Sequence, residues 1–137
     1  MIFDYFADLN WLAILVAAVA WFAFSAVWYS IPPLSKAWQE AAKVTPGEGP
    51  PLAMILIPTF IGYFVTSIVI ALIATAIAGD EVINGVALGV ALGVGFGVVG
   101  AVVNQMYEQK GKSYWLINGA NSVIAYTLVA VIVTIWD

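Results

Sequence analysis

The side chains able to do chemistry in this chain are amides and hydroxyls, and they recur at one level. Asn104 and Gln105 close one apolar run, and Asn118, Asn121 and Ser122 open the next. Positions 118, 121 and 122 are spaced i, i+3 and i+4, so a helix carries them on one face. Tyr29, near the end of an earlier apolar run, and Thr59, near the start of another, fall at a similar depth. Amides in an apolar medium seek partners across helices, each contributing about 0.6 kcal/mol and up to about 1.7. The pattern predicts an interhelical hydrogen-bond clasp, with Asn104 bonded to the first or last apolar helix and Asn118 or Asn121 within reach. Its functional alternative is a small polar pocket for a lipid headgroup or a neutral solute.

Other chemistry is excluded by what the chain lacks. Without Cys there is no thiol nucleophile, disulfide or thiolate metal site. Without His there is no imidazole base. All four basic residues are Lys, so bidentate guanidinium clamps on phosphate are absent. A net charge of −4 argues against nucleic acid as a partner. No charged residue lies in the middle of an apolar run, where proton-coupled transport would use one. Asp4, Asp8, Asp80, Glu81 and Asp137 gather at one end of the runs, but without the spacing of a cation loop. They read as a solvated acidic rim. The expectation is a protein with no catalytic site, no metal and no cofactor.

The elements that position these groups follow from composition. The 137 residues are 64% hydrophobic and only 9% charged, where a soluble domain carries about 25% charge. Four apolar runs, 10–30, 52–78, 82–106 and 113–136, are each long enough to cross a bilayer as a helix. The fold class is an all-α membrane protein, a single domain of four transmembrane helices in an antiparallel bundle. Trp11, Trp28, Trp115 and Trp136 stand near run ends, where indoles anchor at the lipid–water interface. Pro32 and Pro33 stop the first helix. Residues 34–44 suit a short interfacial helix with Trp38 on its apolar side, and 45–51 form a linker. Residues 1–9 are a short interfacial tail. The tight connection at 79–81 predicts that the second and third helices are direct neighbours.

Lysine sets the expected orientation. Lys36 and Lys43 lie in the first loop and Lys110 and Lys112 in the third. The opposite side has no Lys. The positive-inside rule then places loops 31–51 and 107–112 in the cytoplasm and both termini outside, in the cell (inner) membrane.

The third run is the most patterned. It reads GVAL, GVAL, GVGF, GVVG, which aligns Gly85, Gly89, Gly93 and Gly97 in one stripe and Ala87, Ala91 and Gly95 in another. In lipid a glycine stripe lets a second helix approach closely, and dispersion replaces the hydrophobic effect. This glycine-zipper pattern predicts that Gly89 or Gly93 meets a neighbouring helix at less than the usual 8–10 Å interaxial distance. The two stripes face different ways, so one is expected inside the chain and the other at a contact between molecules.

The stretches NWLAILVAA (10–18), WYS (28–30), KAW (36–38) and INGANSVIAY (117–126), with Asn104 and Trp136, resemble the domain-of-unknown-function family 1761. That family consists of small four-span membrane proteins, mainly bacterial. The resemblance implies a fold and a membrane location and supplies no activity. Together the sequence points to a structural or accessory membrane protein whose partners are the bilayer and either copies of itself or a larger membrane complex. The alternative is an oligomeric channel or carrier for a neutral or lipid-like solute.

Overall fold

The computed structural model describes residues 1–45 and 47–136. Pro46 of the expected linker and Asp137 of the acidic rim lie outside the described residues. Among the described residues there is no strand, and four helices are long and apolar enough to span a membrane: Trp11–Trp28, Leu52–Ile77, Val82–Glu108 and Lys112–Ile135. The chain is a helical membrane bundle.

Each helix starts and stops for local reasons. Asn10 caps the first span, its side chain accepting from the Ala13 N–H at 3.1 Å. The surface helix runs Pro32–Ala42, two residues earlier than the composition suggested. Pro32 and Pro33 end one helix and begin the next, because proline at the first helical positions forfeits only N–H groups that would be unpaired anyway. Lys43, in the left-handed conformation, closes it. Residues 2–8 form a short 3-10 helix beside the second span. The second span continues through Pro58.

The fourth span is the hub. It packs against the first, second and third spans and against the surface helix. The core lies where it meets the first two: Ala17, Trp21, Ile70, Ala125, Val129 and Ala130 are buried together. On the first span, Ala13, Ala17, Trp21 and Ser25 form one buried stripe at helical spacing. Beside it, Trp21 stacks on Tyr63 with ring centroids 4.1 Å apart, and Tyr126 meets the same indole edge-on at 5.4 Å.

One expectation fails here. The second and third spans share a tight turn but no packed interface. Chain proximity at a turn fixes only one end of each helix, and the rest follows the better surface. For the third span that surface is the seam of the fourth formed by Ser122, Val123, Thr127 and Val131.

That seam is tight. A Cβ placed on Gly85 would lie 2.9 Å from the Val131 Cα, and one on Gly93 would lie 2.7 Å from the Val123 Cα. One on Gly89 would overlap the Thr127 backbone, and one on Gly97 the Ser122 side chain. The numbers run antiparallel, four for four, from 85/131 through 89/127 to 93/123. Successive i+4 positions on an α-helix precess by about 40°, so a strict four-residue stripe walks off its partner. At Gly93–Val98 the helix widens into a π segment. A π turn rotates less per residue, which brings Gly97 back onto the fourth span.

Candidate functional site

The first and fourth spans are joined by a ladder of polar contacts. Towards the lysine-bearing end, the Tyr29 hydroxyl donates to Asn118 Oδ1 at 2.5 Å, and Trp28 Nε1 donates to the Ile117 carbonyl at 3.3 Å. One turn deeper, Asn121 Nδ2 donates to Ser25 Oγ at 3.3 Å. At the far end Asn10 Nδ2 donates to the Trp136 carbonyl at 3.2 Å. Asn121 is 5% exposed, so its amide is spent on protein.

The surface helix closes the lysine end of this ladder. Trp38 meets Tyr29 edge-on at 5.8 Å and stacks near Tyr114 at 6.5 Å. The last carbonyls of the surface helix, orphaned as helix ends are, are taken by the third loop. The Gly111 N–H donates to the Ala41 carbonyl at 3.0 Å, and the Lys110 ammonium donates to the Ala42 carbonyl at 2.6 Å. A Cβ at Gly111 would come within 3.2 Å of Ala41 Cβ, so glycine permits this approach. Burial, reinforced by the nearby Tyr63 and Tyr114 phenols, pushes the Tyr29 hydroxyl, one residue past the first span, well above the ordinary tyrosine range. It therefore serves as a proton-bearing donor.

The polar residues singled out in the sequence divide. Tyr29, Asn118 and Asn121 come together. Ser122 turns its hydroxyl back to the Asn118 carbonyl at 2.9 Å and packs on Gly97. Gln105 donates to the Lys110 carbonyl and ties down the third loop. Thr59 bonds the Ile55 carbonyl of its own helix at 2.6 Å and stays outside the group. Asn104 is exposed and makes no side-chain hydrogen bond among the described residues. It sits beyond the π segment, where the third span presents a different face. Ser25 supplies the contact that Asn104 was expected to make. Its place at helical spacing after Ala13, Ala17 and Trp21 was the available signal, for burial though not for its partner.

Of the tryptophans, Trp11 and Trp136 are exposed near span ends. Trp28, Trp38 and Trp115 are half-buried, and the first two are held by the contacts above. The glycine stripe 85, 89, 93, 97 faces the fourth span, while Ala87, Ala91 and Gly95 are exposed.

Taken chemically, the ladder offers neutral donors and acceptors that satisfy one another. Residues 12–134 match the sequence model of a family described as "Protein of unknown function (DUF1761)", so the chain belongs to that family. No curated protein and no solved structure matches it.

Proposed function

We propose that this member of the DUF1761 family is a structural or accessory membrane protein that assembles with a second copy of itself through the outward face of its third span. The observation that carries the reading is how little of that span its own chain covers. Only 11% of its apolar window is buried, against 28–33% in the other three spans. One glycine face is used up by the fourth span. The other small-residue face, Ala87, Ala91 and Gly95, is exposed beside Val90 and Val94. Against lipid such a groove is filled by mobile acyl chains, whereas a facing helix fills it with fixed contacts. The lysine distribution supports a cytoplasmic position for the surface helix and third loop.

A channel or carrier has less behind it, because Trp21, in contact with both Tyr63 and Tyr126, fills the centre of the bundle. The reading includes no catalytic role.

The test is disulfide cross-linking of Ala91→Cys in native membranes, alongside native mass spectrometry from lipid nanodiscs. The expected result is a cross-linked dimer at position 91 and none for Val69→Cys, an exposed position on the second span. A wild-type protein that is only monomeric in lipid, with no cross-link at 91, overturns the proposal.

A further inference from the structure

We propose that the lysine-free end of the bundle binds a small organic cation, an alkylammonium group of the kind borne by amine lipid headgroups and by free amines. The proposal does not rest on the assembly reading. A cleft of about 190 Å³ opens where the 3-10 helix, the turn after the second span and the ends of the first and fourth spans meet. Its walls include Asp8, Asn10, Thr75, Asp80, Thr134 and Trp136.

The observation that points to a ligand is Thr134. It is 3% exposed, and its Oγ1 is buried with no hydrogen-bond partner among the described residues. Helical hydroxyls ordinarily return to a carbonyl one turn back. Ser30, Thr59, Ser67, Ser122 and Thr127 of this chain all do so. Thr134 does not, which leaves an unpartnered buried hydroxyl on a residue that lines the cleft. A group in the cleft that donates or accepts a hydrogen bond would satisfy it.

Charge selects the kind of group. Asp8 and Asp80 make no ion pair among the described residues, and all four lysines lie towards the opposite end. Asn10 accepts from Ala13 and gives one of its two amide hydrogens to the Trp136 carbonyl, which fixes it as part of the wall. Two carboxylates and a hydroxyl favour a cation, and an aromatic wall residue such as Trp136 suits an alkylammonium.

Size and ligand count separate an organic cation from a metal. No group of three or more metal-ligating side chains occurs among the described residues, and calcium takes six to eight oxygens. The cleft holds the volume of about six waters. That is below the roughly 300 Å³ where drug-sized pockets begin and suits a headgroup fragment.

Native mass spectrometry of the protein in nanodiscs of mixed phosphatidylethanolamine and phosphatidylglycerol measures lipid retention. Calorimetric titration with ethanolamine, in phosphatidylglycerol discs, measures the free amine. Retention of phosphatidylethanolamine without binding of free ethanolamine identifies a lipid headgroup. Binding of ethanolamine identifies a soluble amine. Either outcome supports the site, provided that D8N/D80N weakens it at least about tenfold, as loss of charge-assisted bonds does. The near-isosteric Thr134→Val, which leaves the packing in place, should weaken it about three- to tenfold. No preference for either amine probe over phosphatidylglycerol or sodium overturns the proposal. So does wild-type affinity in Thr134→Val, whether or not the double variant folds.

Discussion

Replacing Gly89 by Ala puts one methyl group into the seam between the third and fourth spans. The new Cβ would stand 2.8 Å from the Thr127 nitrogen and 2.9 Å from the Tyr126 carbonyl oxygen, and nearer still to the Thr127 Cα. All three are backbone atoms, so no rotamer change relieves the overlap. Ordinary carbon contacts lie at about 3.5–4.0 Å, so the two helices must part by about 1 Å. Overpacking of this kind costs about 1–3 kcal/mol, with Gly89 at the upper end because the neighbour cannot yield. The better helix propensity of Ala returns up to about 1 kcal/mol. A net loss of about 2 kcal/mol follows, a roughly thirtyfold shift in the unfolding equilibrium. The overlaps at Gly93 and Gly85, 2.7 Å and 2.9 Å from the facing Cα atoms, predict smaller losses in that order. Gly62→Ala is the control, since nothing lies within 4 Å of its Cβ position. It should be neutral or slightly stabilising. Unfolding in mixed micelles, measured by steric trapping, reads all four variants. A Gly89→Ala protein within about 0.5 kcal/mol of wild type, or a Gly62→Ala loss of equal size, would refute the argument.

Gly97→Ala should also destabilise, but the atom it meets is the Ser122 Cβ, so adding Ser122→Gly should recover most of the loss. The corresponding pair, Gly89→Ala with Thr127→Gly, should recover little, and a double-mutant cycle in the same assay distinguishes the two. Asn121→Leu should cost about 1–2 kcal/mol, because Ser25 is left unpaired inside the bundle, while Asn104→Leu leaves the melting temperature unchanged; calorimetry in detergent compares them. Because the fold raises the Tyr29 pKa, its contribution is fully present below the unfolded value of about 10 and is lost as pH climbs above it. Tyr29→Phe should therefore flatten the alkaline limb of the stability–pH curve, and an unchanged limb would count against a buried donor.

Four spans could be read from the sequence because lipid imposes its demands locally: about twenty apolar residues, paired backbone, indoles near the ends. The glycine stripe was legible for the same reason, since a missing side chain matters wherever a neighbour comes close. Which neighbour comes close was not legible. The turn at 79–81 suggested the second span, but the alternation of Thr127, Val123 and Ser122 on the fourth makes the complementary surface, and complementarity belongs to pairs of segments. The polar group shows the same limit. Asn118 and Asn121 could be placed on one face by spacing alone, whereas nothing in the spacing marked Ser25, one turn from Trp21, as the partner of Asn121. Asn104 misled because depth along the membrane says nothing about azimuth, and the π segment at 93–98 changes the azimuth of everything beyond it.

The hub position of the fourth span bears on how the protein is made. Of the four spans it leaves the ribosome after the other three, yet each of them packs against it. Until it inserts, the third span has no partner for its glycine face, and the second and third lie side by side in the chain without an interface to hold them. The nascent intermediate is thus a packed pair, the first and second spans, beside a third span with an open glycine face. Membrane quality control, which recognises unassembled spans, has a window that closes only when residues 112–135 dock.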